Sequence, residues 1–117
     1  MPAMTFALSV AEVELEPLEL DPAQVLEGSP QTSGAVLATS EDGRVERGVW
    51  QITPGTVTDV EADELFVVVS GRATIELEDG RVLEVGPGDA AVLREGERTV
   101  WRVHETLRKV YQLTYAA

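Results

Sequence analysis

Hydrophobic and polar positions alternate over short stretches in the middle of the chain. Ala73, Ile75 and Leu77 are separated by polar residues, as expected for one buried face of a strand. An apolar run, Leu65 to Val69, comes before them, and Ser70-Gly71 predicts where that run ends. These patterns indicate short strands with tight turns between them.

Turn residues close each of these segments. Asp79-Gly80 predicts a two-residue hairpin of type I′, a turn that needs positive φ at both central positions. Arg81 to Val85 then returns, and Gly86-Pro87-Gly88-Asp89 breaks the chain before Ala90 to Leu93. The block leaves no room for a long helix. It therefore predicts the middle of an antiparallel β-barrel or sandwich.

Further strands are predicted on both sides of this block. They are Ala35 to Thr39, Val45 to Thr53, Arg98 to Val103 and Leu107 to Tyr115. The polar residues His104-Glu105-Thr106 separate the last two and predict a hairpin between them. Many short strands without a long helix favour an all-β fold.

The N-terminal part has a looser pattern. Residues 1–29 predict an arm or edge strands ahead of a barrel that spans residues 30–117, in one domain overall. The apolar residues between Phe6 and Val10 alternate, and Pro17 favours an edge strand because proline cannot donate to a central ladder. The alternative is an arm that docks on a partner subunit.

Composition narrows the choice of partners and compartment. The formal net charge of −12 disfavours nucleic acid and anionic membrane surfaces as partners. The 117 residues contain no cysteine, which fits a reducing compartment, and we expect a cytoplasmic protein. We find no secretory signal and no apolar stretch long enough to cross a bilayer.

Two blocks resemble the paired motifs of the cupin superfamily. Glu64 and Gly71 have the separation of the glutamate and final glycine of the first motif, and Phe66 lies where an aromatic residue is common. Gly88 and Gly96 match the two glycines of the second motif. The resemblance implies an antiparallel double-stranded β-helix, the jelly-roll barrel.

Flanking residues are similar to one branch of the superfamily. Gly48-Val49-Trp50, Pro54-Gly55, Trp101 and Arg108 to Tyr111 resemble the cupins that include (S)-ureidoglycine aminohydrolase and the ethanolamine-utilisation cupins. Arg94 departs from the second motif, which has proline there. One barrel fold hosts many chemistries, so function has to be argued from the site.

The resemblance implies a metal held by three histidines and the glutamate. The first two histidine positions fall, depending on the spacing, on Thr58 with Val60 or on Val57 with Asp59. Thr99 stands at the third, so no histidine remains. Because a transition metal needs three or four strong donors, the sequence predicts that the metal has been lost. A hard divalent ion on Asp59 and Glu64 is the alternative.

The environment of Glu64 is the central question for the site. If this carboxylate points into the barrel, it needs a hydrogen-bond or charge partner. It is then either a structural residue or a ligand anchor and possible acid/base. A three-residue loop at 104–106 would turn Lys109 inward beside Trp101 and allow an ion pair with Glu64. A two-residue turn would leave Lys109 as a surface cation.

We expect a barrel that binds a small organic molecule without a metal or other cofactor, in a homodimer that covers the strand edges. Glu64 would be the catalytic or anchoring group, with Lys109 as a second candidate. The candidate ligand-binding residues are Thr58, Phe66, Thr99, Trp101 and Tyr111. A metal-dependent enzyme acting on a small nitrogen-containing substrate, and a structural cupin without catalysis, are the alternatives.

Overall fold

The described chain, residues 4–116 of a computed structural model, folds into nine β-strands and a single 3₁₀ turn at Pro22–Gln24. The strands are β1 (Glu16–Leu18), β2 (Val25–Glu27), β3 (Thr32–Thr39), β4 (Val45–Ile52), β5 (Gly55–Val60), β6 (Asp63–Leu77), β7 (Val82–Val85), β8 (Ala90–Leu93) and β9 (Arg98–Thr114). The predicted all-β class is confirmed.

Two long strands, β6 and β9, lie at the centre of the sheet. They pair antiparallel along their whole length, from Asp63 opposite Thr114 to Leu77 opposite Thr99. The other edge of β9 pairs with β4 in its C-terminal half and with β5 in its N-terminal half. The other edge of β6 pairs with β8 and then with β7. The long sheet thus curls into two half-sheets, and this is the antiparallel jelly-roll barrel.

Both central strands bend at their midpoints instead of ending there. The pairing register shifts between Val68 and Ala73, and Gly71 has a φ of 85°. The predicted strand end at Ser70-Gly71 is therefore wrong, and so is the predicted hairpin at 104–106. The turn-forming residues mark the bend, because neighbouring strands supply partners on both sides of it and keep the ladder continuous.

The hairpin between β6 and β7 forms with a different turn. Leu77 and Arg81 close a three-residue loop, and Gly80 donates its amide to the Leu77 carbonyl at 3.0 Å. No non-glycine residue in the described range has positive φ, so the predicted type I′ turn is wrong. A type I turn followed by glycine in the left-handed region gives the same reversal, with Gly80 at φ 91°.

Between the two half-sheets lies one hydrophobic core. Phe66, Ile75 and Leu107 are fully buried, and Trp101 is 3% exposed. The buried positions of β6 alternate up to Val68 and again from Ala73 to Leu77, so the alternation in the sequence marks the buried face in the second half of the strand. The core fills one part of the barrel and leaves a cavity at the other.

The N-terminal segment contributes two short strands to the barrel. Glu16–Leu18 lies at the edge beside β3 and Val25–Glu27 pairs with β5, while the stretch from Phe6 to Val10 adds no strand. Arg108 holds this stretch by donating to the carbonyls of Val10 and Val13 at 3.0 and 3.1 Å. Pro17 therefore lies in an edge strand and the stretch from Phe6 to Val10 forms none, while docking of this stretch on a partner subunit stays a prediction. The predicted N-terminal segment, 1–29, and the predicted barrel, 30–117, also include residues 1–3 and 117, which lie outside the described residues.

Within residues 4–116, no helix has the length and apolar character needed to cross a bilayer.

Gly71 allows a direct test of the bend. An alanine Cβ at this position would overlap the carbonyl of Thr106, in addition to the strain of positive φ. At Gly80, φ is also positive, but nothing lies within 4 Å of the added Cβ. We expect Gly71→Ala to lower the free energy of unfolding in urea by at least about 3 kcal/mol, against about 1 kcal/mol for Gly80→Ala. Equal losses would contradict the close approach of the two strands.

Candidate functional site

A cavity of about 360 Å³ opens at one end of the barrel. Its walls come from β4, β5 and β9, and the link between β5 and β6 closes one side. Trp50 and Trp101 contribute aromatic surface, and Asp59, Glu61 and Glu64 contribute carboxylates. This combination of apolar walls with a few polar groups is typical of small-molecule sites.

The pairing of β5 with β9 decides which side chains point inward. Val57 lies opposite Trp101 and Asp59 opposite Thr99, and all four share the inner face. Thr58 lies between them at the rim, where its hydroxyl donates to the carbonyl of Gln24 at 3.4 Å. Val57 and Asp59, rather than Thr58 and Val60, therefore occupy the inward positions.

Glu64 points into the barrel and pairs with Lys109. The Lys109 Nζ lies 2.7 Å from Glu64 Oε2, and the two side chains are 8% and 6% exposed, respectively. A carboxylate and an ammonium buried this deeply need each other, because either one alone would be an uncompensated charge in a low-dielectric interior. Lys109 is thus inside the barrel, and the predicted surface alternative is wrong.

Three aromatic rings enclose the Lys109 ammonium. Its Nζ lies 4.5 Å from the ring centroid of Phe66, 4.7 Å from that of Trp50 and 4.9 Å from that of Trp101. Trp50 and Trp101 meet edge to face at 6.1 Å. The faces of these rings are electron-rich and stabilise a desolvated cation. Glu64 and the three rings together form a complete environment for one internal positive charge.

Glu61 supplies a second buried carboxylate that the sequence did not indicate. It is 6% exposed, and its Oε2 accepts hydrogen bonds from Thr99 Oγ1 at 2.6 Å and Trp101 Nε1 at 3.1 Å. Burial raises the pKa of Glu61, the bond from Thr99 opposes that rise, and the nearby charge of Asp59 adds to it. Glu61 lies in the link between β5 and β6, where no periodic pattern marks an inward side chain.

Two further acidic side chains line the cavity. Asp59 lies at the rim, where desolvation raises its pKa although the backbone amide of Val60 donates to it at 2.8 Å. Glu46 accepts a hydrogen bond from the Tyr111 hydroxyl at 2.7 Å. Desolvation and this bond raise the pKa of Tyr111. Tyr111 is therefore a neutral donor at physiological pH.

Sequence comparison identifies the family. The sequence model of the EutQ-like cupin domain matches residues 39–111, which include β4 to β8 and most of β9. The chain belongs to the EutQ-like cupin family. Comparison with curated proteins gives no match for this cupin.

Solved structures share the fold of this EutQ-like cupin. A protein of unknown function of the DUF861 family from Pseudomonas syringae pv. tomato is 27% identical, with a TM-score of 0.81 over 92% of this chain and 46% of that chain. The chain therefore spans about half of that protein. The EutQ protein of Clostridium difficile is 20% identical, with a TM-score of 0.65 over 85% of this chain and 82% of that one, and shows the fold alone.

The cavity residues of this EutQ-like cupin do not fit the metal that the superfamily implies. The inward histidine positions hold Val57 and Asp59, and the hydroxyl of Thr99 is bonded to Glu61. Glu64 is bonded to Lys109, whose positive charge would repel a metal ion from that carboxylate. Within residues 4–116, no three His, Cys, Asp or Glu side chains lie together so that they could hold one ion. Asp59 and Glu64 were predicted as an alternative site for a hard divalent ion. These two residues supply too few metal-binding donors for such a site.

The structure brings most of the predicted residues to one end of the barrel. Trp101, Tyr111, Glu64 and Lys109 all line the cavity, and Phe66 packs behind it as fully buried core. Lys109 faces inward, the orientation that a three-residue loop at 104–106 would have given it. No loop forms there, because β9 continues through these residues. Trp101 and Lys109 lie eight residues apart on one strand and share its inner face.

Thr99 and Thr58 are less available to a ligand. The Thr99 hydroxyl is bonded to Glu61, and the Thr58 hydroxyl is bonded at the rim. The predictions also omitted Glu46, although alternation from Trp50 and Ile52 along β4 could have placed it on the inner face. His104 is exposed within β9, not in a turn, and its Nε2 lies 2.8 Å from the Thr74 hydroxyl.

A double-mutant cycle tests the buried ion pair. We expect Glu64→Gln and Lys109→Met each to lower the free energy of unfolding by about 3 kcal/mol, because each leaves one buried charge without a partner. The double variant should lose at least about 2 kcal/mol less than the sum of the two, measured by urea denaturation. Additive losses would contradict a direct interaction. The solvent-exposed pair Arg81 and Asp79, substituted as Arg81→Met and Asp79→Asn, serves as the control, for which we expect little coupling.

Proposed function

We propose that this EutQ-like cupin binds a small organic molecule in the barrel cavity and does so without a metal ion. The proposal rests on the Glu64–Lys109 ion pair, which places a lysine side chain beside the carboxylate that corresponds to the metal-binding glutamate. Binding through side chains alone requires polar groups on an otherwise apolar wall, and Glu64, Tyr111 and Trp101 line the cavity. The absence of cysteine fits a cytoplasmic location.

We assign the roles from the contacts. Glu64 is the polar anchor and candidate acid/base because it lines the cavity, and Lys109, the second candidate, holds its carboxylate in place. Trp101 forms the apolar wall, and Tyr111 supplies a hydroxyl that can contact the ligand. Phe66 supports Lys109 from behind, and Thr99 fixes Glu61. Thr58 contributes to the rim.

Two alternatives make different predictions. A metal-dependent enzyme acting on a small nitrogen-containing substrate would need donors that the positions of Val57 and Thr99 do not supply. A structural cupin without catalysis would bind no small molecule at all. A ligand screen on metal-free protein therefore separates all three.

The screen measures melting temperature after treatment with a chelator. We expect the chelator to leave the melting temperature unchanged and at least one class among small acids, amines, ureides and sugars to raise it. A ligand at a hundredfold its Kd adds about 2.7 kcal/mol to stability, which corresponds to roughly 10 °C for a domain of this size.

Two variants make the screen specific. Trp50→Leu, in the cavity wall, should reduce the ligand-induced shift, whereas Val82→Ala, at an exposed position of β7, should retain it. A shift that appears only when Mn²⁺, Zn²⁺, Fe²⁺ or Ni²⁺ is added would contradict the proposal. So would a screen in which none of the four classes changes the melting temperature.

We also propose a homodimer built on the outer face of the sheet. Leu65 and Val92 lie opposite each other on this face and are 48% and 61% exposed. Val67 on β6 and Phe6 on the N-terminal segment extend the apolar surface. An apolar patch of this kind is typical of a protein contact. The assignment of a second copy as the partner is the proposal.

Sedimentation equilibrium tests the dimer. We expect a mass of twice the 12.7 kDa chain for the wild type and a monomer for Val92→Glu. The matched control is Val82→Glu, at an exposed position outside the patch, which should remain dimeric. A wild-type protein that sediments as a monomer at tens of micromolar would contradict the proposal.

A further inference from the structure

Negative charge in the cavity exceeds the positive charge that the protein supplies. Lys109 is bound to Glu64, and the hydroxyl of Tyr111 is bound to Glu46. Asp59 and Glu61 have no salt bridge within the described residues. Their other hydrogen bonds come from a backbone amide, a hydroxyl and an indole, all of which are neutral, and the two side chains are hydrogen-bond neighbours of each other.

Glu61 keeps one oxygen open toward the cavity. The residue is 6% exposed, and both of its hydrogen bonds end on Oε2. No lysine, arginine, hydroxyl or amide donor among the described residues reaches Oε1, yet no buried polar side-chain atom there is without a partner. Oε1 therefore lies on the cavity surface, where a ligand can meet it. A buried carboxylate held in place in this way is a strong acceptor for a charged donor.

Asp59 lies next to this open oxygen. Desolvation raises the pKa of Asp59 and that of Glu61, and the charge of Asp59 further raises that of Glu61. Each shift means that the ionised carboxyl group is destabilised where it lies. A cation placed between the two groups would reverse that effect, since it would stabilise both negative charges.

The single lysine of the cavity is poorly placed to bind an anion. Its ammonium is in contact with Glu64 and is surrounded by Phe66, Trp50 and Trp101 at 4.5 to 4.9 Å. An anionic ligand would have to displace one of these groups and would also meet the remaining carboxylates. A cation meets neither obstacle, and Trp50 offers it an aromatic surface at the cavity wall.

We propose that the cavity binds a small organic ammonium compound, with its charged group between Asp59 and Glu61 and its apolar part against Trp50. The inference rests on the proposed small-molecule binding and adds the class of ligand. The cavity volume of about 360 Å³ is near the lower end of the range for ligand pockets, about 300–1,000 Å³, and favours a compact compound.

Three probes with the same carbon chain test the charge of the ligand. Isothermal titration calorimetry on the chelator-treated protein at neutral pH would compare butylammonium, 1-butanol and butyrate. We expect butylammonium to bind at least about tenfold more tightly than 1-butanol, and butyrate to bind more weakly than either.

Matched variants then locate the cation. We expect Glu61→Gln and Asp59→Asn each to weaken butylammonium binding at least about tenfold, because each removes one of the two charges. Glu61→Gln retains a side-chain oxygen that can accept hydrogen bonds from Thr99 and Trp101. Circular dichroism would check that this variant folds. Glu41→Gln, in the exposed turn between β3 and β4, should bind butylammonium like the wild type.

The outcomes separate the two proposals. If 1-butanol or butyrate binds as tightly as butylammonium, or if the two cavity variants bind it like the wild type, the ammonium assignment is wrong. It is also wrong if the thermal screen finds only acidic or neutral ligands, although binding in the barrel would then stand. If neither the three probes nor any screened compound binds, both proposals fail.

Discussion

The buried ion pair between Glu64 and Lys109 constrains the rest of the site. The two charges can be buried only if β6 and β9 hold both side chains on the inner face, 2.7 Å apart. The rings of Phe66, Trp50 and Trp101 pack around the ammonium and shield it from water. Loss of either charge would leave the other without compensation, so the pair also constrains how this end of the barrel can move.

The continuity of β6 and β9 makes this arrangement possible. Because each strand bends at its midpoint instead of ending, one strand contributes both the hydrophobic core and the cavity wall. Trp101 belongs to the core side and Lys109 to the cavity side, yet both lie on the inner face of β9. The bend needs the close contact between Gly71 and the backbone of Thr106, which no larger residue allows.

An internal ammonium gives this barrel a different electrostatic character from one that holds an exchangeable ion. The charge of Lys109 cannot leave, and its surroundings are already complete. Carboxylates that are not paired with it, namely Asp59 and Glu61, then determine what the cavity attracts. Burial makes the ionised form of Glu61 costly, so a positively charged ligand has more to contribute here than it would at a surface site.

The sequence by itself determined the all-β class, the inner face of β6 and the lack of histidine donors, because alternation and residue identity are local properties. It also named Glu64 and Trp101 as candidate cavity residues, with the direction of the Glu64 side chain left open. Only the tertiary structure decided the orientation of Lys109, since a difference of one residue at 104–106 reverses the face of everything after it. Glu61 had no local signal either: its burial depends on Thr99 and Trp101, which are 38 and 40 residues away along the chain.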